Sequence, residues 1–199
     1  MEDYKQLIQN RKPDIRHLLD MKEVIYDKEW LKTAPNDELY YVYRKVKEEN
    51  NLANHITVIP PKMLGKEYIK TKGHYHSDKK YGELYRVLEG KGLFLLQSKN
   101  NETIEDVYYV EAEKGKYIPV LPGYGHIMIN NSSEKLVTID WSVEQCKGIY
   151  EPIIEKQGGC YYFTNSGWIK NENYKDVPEL RSEEPLKSMP KNLDFLYGK

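Results

Sequence analysis

The stretch TKGHYHSDKKYGELY, residues 71–85, sets His74 and His76 two residues apart and puts Glu83 shortly after them. In an extended chain alternate side chains share a face, so both imidazoles point one way and Tyr75 the other. SDKKYG is polar and ends in glycine, so it turns the chain. A new strand then starts at Glu83 and carries Glu83, Tyr85 and Val87 on one face. If that face is shared with the histidines, two ring nitrogens and a carboxylate converge. Such a donor set suits a divalent transition metal.

A fourth donor must come from elsewhere. His126 has the best context: it follows LPGYG and opens HIMIN, so His126, Met128 and Asn130 share a face. His17, in a charged segment, reads as a surface histidine. His55 lies two before Thr57, and the pair can face one interior, although a packed histidine is the plainer reading. Two histidines at this spacing are weak evidence alone. With a downstream glutamate at a strand start and a histidine after a Pro-Gly corner, the signal is much more specific.

The surrounding texture supports strands. From Tyr40 onward the chain runs in short β-rich pieces: LYYVYRKV, NHITVIP, EYIKTKGHYH, ELYRVLEG, GLFLLQ, DVYYVEA, KYIPVLP, HIMINN and LVTIDWSV. The breaks EGKG, NN near Asn100 and PGYG have turn chemistry. Lengths and breaks predict an all-β antiparallel barrel or sandwich over 40–150. Residues 1–39 form a charged N-terminal arm, in which Asp20 and Glu23 are spaced as a capping box and predict one or two short helices. Residues 151–199 predict a hairpin through YYFTNSGWIKN, then an irregular tail over the barrel or a partner.

Bulk properties exclude several classes. With 30 basic and 31 acidic residues interleaved along 199 positions, no basic groove for nucleic acid and no membrane-binding face is indicated. No apolar run approaches the roughly 20 residues that span a bilayer, and MEDYKQLIQN lacks a signal-peptide core. Cys146 and Cys160 have no CxxC partner and read as free thiols. A cytoplasmic protein is expected. The 18 tyrosines against three phenylalanines mostly suit strands and half-buried faces, with a minority lining a polar pocket.

TKGHYH, six residues, ELY, then GKG and LLQ, with His126 behind its glycine corner, resembles the cupin-type glucose-6-phosphate isomerases. The likeness covers roughly residues 40–150 and is weaker in both arms. It implies a cupin fold, a double-stranded β-helix or jelly-roll barrel, usually assembled as a homodimer. It implies His74, His76, Glu83 and His126 as ligands of one divalent transition metal: iron, manganese, nickel, cobalt or zinc. It maps a sugar-phosphate site onto Thr57, Thr71, Gly73 and Tyr85, with Tyr43 or Tyr40 and Tyr150 as further pocket residues. The implied reaction interconverts glucose 6-phosphate and fructose 6-phosphate, the metal stabilising an enediolate. Glu83 is the candidate base, although a metal-held carboxylate is a weak one, and Tyr85 is placed to position hydroxyls. In DWSVEQCKGIY the chain departs from the family: Trp141 or Ser142 replaces a tyrosine, and Lys147 or Gly148 stands near a usual histidine. Lys147 is a candidate phosphate charge. Rival readings are another metal-dependent cupin acting on a different sugar or sugar phosphate, and a non-catalytic sugar-binding cupin.

Overall fold

The computed structural model describes residues 3–199; Met1 and Glu2, which open the expected arm, lie outside the described residues. Its strands are β1 (Asp14–His17), β2 (Glu38–Glu49), β3 (Leu52–Ile59), β4 (Met63–Leu64), β5 (Glu67–Tyr68), β6 (Tyr75–His76), β7 (Glu83–Glu89) and β8 (Lys91–Asn100). They continue as β9 (Thr103–Glu113), β10 (Tyr117–Val120), β11 (Tyr124–Ile129), β12 (Leu136–Val143), β13 (Gly148–Ile149), β14 (Tyr161–Thr164), β15 (Gly167–Lys170) and β16 (Arg181–Glu183).

Six strands form one sheet in the order β1-β2-β3-β12-β7-β10, and β11-β8-β9-β16 form the facing one. Pairing is antiparallel except between β16 and β9. This is the all-β cupin barrel. Alternation explains its interior: Leu39, Tyr85, Val87, Phe94, Leu96, Ile118, Val120 and Met128 belong to one buried cluster. The N-terminal arm is part of that core, through Leu18, Met21, Val24 and Ile25.

β8 is buried on both faces, which is why GLFLLQ has no polar alternation. Phe94 and Leu96 point into the barrel. Leu93 and Leu95 point outward onto Cys160 and Tyr174, with Tyr161, Phe163 and Trp168 of the C-terminal hairpin packed beside them. The hairpin is formed by β14 and β15, as the NSG turn predicts.

Four local expectations need correction. Asp20 does not cap a helix: His17 is the N-cap of a 3-10 turn over Leu18–Val24, and Asp20 at N3 accepts its backbone N–H at 2.9 Å. EYIKTKGHYH is not one strand. β5 and β6 are separate, and the segment between them meets β11 through isolated bridges at Lys70–Ile129 and His74–His126. Gly73 breaks it with φ +79, where a Cβ would lie 2.5 Å from Ile127 Cγ1. The tail is not irregular throughout, since Arg181–Glu183 lies along β9 with all three residues exposed, an edge that carries no periodic signal. β1, which pairs with β2, has no counterpart among the expected strands. No helix among the described residues is long and apolar enough to cross a membrane.

Candidate metal centre and cavity

Strand pairing builds the centre. His74 and His126 face each other across a two-way backbone bridge, His74 N–H to His126 C=O at 3.3 Å and His126 N–H to His74 C=O at 3.1 Å. β13 pairs with β6, setting Gly148 opposite His76. Glu83 opens β7 opposite Val120. These placements bring one donor atom from each of His74, His76, Glu83 and His126 within 4.8 Å of one another. All but His74 are buried.

The ring nitrogens crowd round the carboxylate. Glu83 Oε2 lies 3.0 Å from His76 Nε2 and 3.2 Å from His126 Nε2. Burial alone would raise the Glu83 carboxyl, but His126 and His76 hold it well below its usual range. Burial would lower His76, yet contacts with Cys146 and Glu83 raise it to about 11. Burial and the neighbouring His126 push His74 well down. The His74 and His126 rings stand 4.4 Å apart at their centroids, so the cluster has no room for full protonation without repulsion. His126 Nδ1 is buried with no hydrogen-bond partner. A single divalent cation answers these demands, neutralising the buried carboxylate and using neutral imidazole lone pairs. The residues present therefore fit such an ion.

The four donors line a cavity of about 120 Å³ that also takes in Thr57, Thr71, Gly73, Tyr85, Tyr150 and Tyr40. The Tyr85 hydroxyl is 3.1 Å from His126 Nε2, and burial together with Glu83 pushes its pKa well up, so it stays a phenol. Thr71 Oγ1 accepts the Met128 N–H at 3.0 Å, which leaves its own proton to donate. His55 and Thr57 both line the cavity.

Tyr43, expected in the pocket, lies elsewhere. Alternation along β2 gives the cavity Tyr40, Val42 and Arg44. Tyr43 points outward onto Val46, Ile56 and Val137. Lys147 is exposed and does not line the cavity. Of the variable segment, Ser142, Cys146 and Gly148 reach it, and Trp141 instead faces Tyr117. Gly148 is a close approach: a Cβ there would lie 2.7 Å from His74 Cδ2.

Three charged residues that line the cavity were missed by sequence reasoning: Arg16, Arg44 and Asp140. Asp140 pairs with His55 on one side and Tyr85 on the other. Burial, then the charge of Glu83, to which it is hydrogen-bonded, raises its carboxyl well above the usual range. Strand alternation does put Asp140 two residues before Ser142, but nothing in one sequence says which face of β12 is inward.

Comparison with known proteins agrees with this picture. A family model described as glucose-6-phosphate isomerase matches residues 15–179. The glucose-6-phosphate isomerase of Thermococcus litoralis is 39% identical over 101 residues, 48% of this chain and 53% of that protein. The enzyme of the same name from Pyrococcus abyssi is 38% identical over 101 residues, covering the same shares. The chain thus spans about half the length of the curated relatives it matches. Among solved structures, a recombinant oxalate oxidase in complex with glycolate is 12% identical, with a TM-score of 0.47 over 61% of this chain and 58% of that one, too slight a likeness to bear on function. The matched span contains the barrel, both histidine segments and every residue that lines the cavity, and on that span the chain belongs to the glucose-6-phosphate isomerase family.

Proposed function

We propose that this protein is a metal-dependent aldose–ketose isomerase acting on glucose 6-phosphate and fructose 6-phosphate. In this reading His74, His76, Glu83 and His126 hold one ion of iron, manganese, nickel, cobalt or zinc. The observation that carries it is the convergence of those four donors in a cavity lined by hydroxyls and a glycine backbone, within the span of the family match. The bound ion supplies positive charge against the oxyanion charge that develops as the sugar carbonyl shifts between C1 and C2. Thr57 and Thr71 offer hydroxyls, and Gly73 lets substrate approach the backbone closely. The Tyr85 phenol and Tyr150 orient the sugar. Glu83 is the group nearest to take a proton from C2, and its depressed proton affinity makes it a weak base.

The free thiols Cys146 and Cys160 suit a reducing compartment, and we place the protein in the cytoplasm as a homodimer. One preparation tests the reading. Interconversion of the two sugar phosphates is expected to vanish after chelation and to return with a divalent metal. Light scattering of the same sample is expected to give twice 23.5 kDa. Glu83→Gln that kept its metal and full turnover would remove Glu83 as the base. No turnover from metal-loaded protein would overturn the isomerase reading in favour of another sugar or a non-catalytic binding role.

A further inference from the structure

Among the described residues that line the cavity two are carboxylic acids, Glu83 and Asp140. Glu83 belongs to the four-donor cluster and Asp140 does not. Asp140 is only 4% exposed, and burying an acid is costly where an apolar side chain could fill the barrel instead.

Strand alternation aims Asp140 inward. On β12, Ile139 packs with Val46, Ile56 and Val137, and Trp141 faces Tyr117, so both lie on the outer side. Asp140 and Ser142 alternate with them and line the cavity. The Asn54 side-chain amide donates to the Asp140 carbonyl at 2.8 Å and pins the strand at this residue. The carboxyl itself is held from several sides. The Ser142 hydroxyl donates to Oδ2 at 3.4 Å, and the His55 backbone N–H donates to the same carboxyl. On β7, Tyr85 stands directly opposite, and the Glu83 carboxyl is in hydrogen-bond contact. Arg44 reaches into the same cavity.

Two carboxyl groups in hydrogen-bond contact hold one proton between them, because two buried carboxylates would repel. Glu83 is the ionised member: it faces the ring nitrogens of His76 and His126 at 3.0 and 3.2 Å and is one of the four donors. The proton therefore sits on Asp140. An acid beside a base is what moving a carbonyl between adjacent carbons requires, since one proton must change carbons and another must change oxygens.

We propose that Asp140 is a second catalytic group of this cavity, the acid that carries a proton between the C1 and C2 oxygens of the sugar while Glu83 carries the carbon proton. This rests on the isomerase reading above. From open-chain glucose 6-phosphate, the C2 proton passes to Glu83, the C–H pair forms the C1–C2 double bond, and the carbonyl pair moves to O1. Asp140 gives its proton to O1 and takes the proton of the C2 hydroxyl. The O2–H pair becomes the C2 carbonyl, and the double-bond pair takes the proton back from Glu83 at C1. Glu83 ends ionised and Asp140 ends protonated, as both began, so nothing else is consumed.

The test is Asp140→Asn in metal-loaded protein, with glucose 6-phosphate in D2O. Product formation and entry of deuterium at C2 of the unreacted sugar are followed together by NMR. Turnover is expected to fall by about 100-fold, the lower range for loss of a general acid. Deuterium should still enter C2, so the ratio of exchange to turnover rises. Asp140→Glu should recover part of the turnover, with metal content and thermal midpoint equal to the parent protein. Should Asp140→Asn not fold, Asp140→Ser gives the same comparison. Exchange and turnover falling by one common factor would overturn the inference, as would full turnover in Asp140→Asn. Parent protein that turns over with no deuterium in its product would overturn it too, because the hydrogen would then pass directly between the carbons. Metal-loaded parent protein that neither turns over nor exchanges would sink the isomerase reading and this inference with it. A parent that does both, beside an Asp140→Asn variant with an unchanged ratio, would sink the inference alone.

Discussion

At position 148 the side chain is missing because His74 occupies its place. The built Cβ comes within 2.7 Å of the ring, closer than real contacts allow, and the ring is one of four donors that must stay in register. Gly148→Ala is therefore expected to leave the fold intact and weaken metal binding by roughly 10- to 100-fold, the usual effect of disturbing a ligand's support. Metal content after dialysis against graded chelator measures it; retention equal to the parent protein would show that β13 yields instead of His74. The convergence of His74, His76, Glu83 and His126 was legible from sequence: His74 and His76 are two apart in an extended segment and share a face, and Glu83 and His126 each follow a glycine turn. Arg16, Arg44 and Asp140 were not. Each reaches the cavity through the register of strands far apart in sequence. Tyr43 fails for the same reason: without the register, either face of LYYVY could have been inward.

On the scale of elements, most of the barrel strands could be read because turn residues punctuate them and each buries one face or both. The exceptions lack one of those signals. β5 and β6 are too short to show a period, and β16 is exposed along its whole length. The packing of β8 could be seen only in part, since an apolar run does not reveal what covers it. One polar residue in that run ties three elements together. Gln97 accepts the Cys160 N–H at 2.8 Å and donates to the Tyr75 and Tyr174 hydroxyls at 2.8 and 3.3 Å. It thus joins β8 to the C-terminal segment and to the residue between His74 and His76. Gln97→Leu keeps much of the volume and strands the Cys160 amide, at about 1–3 kcal/mol for an unmet buried group. A lowered urea midpoint with an unchanged slope is expected; an unchanged midpoint would mean that those groups find other partners.

Over the whole molecule, the sequence suggests a barrel with two appendages, but the cores do not divide at 40 and 150. Leu18, Met21, Val24 and Ile25 of the arm and Ile153 beyond the barrel share the main core with β7, β8 and β10. On the other side, Leu93, Leu95, Ile127 and Ile129 are covered by residues after 159. Uncovering four such side chains costs about 1.5–3 kcal/mol each, a total comparable with the 5–15 kcal/mol that keeps a typical domain folded. Cys160 and Tyr174 would leave the Gln97 hydrogen-bond network at the same time, so its polar groups would have to be met by water in a partly apolar setting. A chain ended at residue 150 should therefore show no cooperative thermal transition and hold no metal, although it retains all four donors. Differential scanning calorimetry decides the point. A cooperative transition in that fragment, with stoichiometric metal, would mean that β2 to β12 close a sufficient core alone and that the C-terminal hairpin only shields a finished barrel.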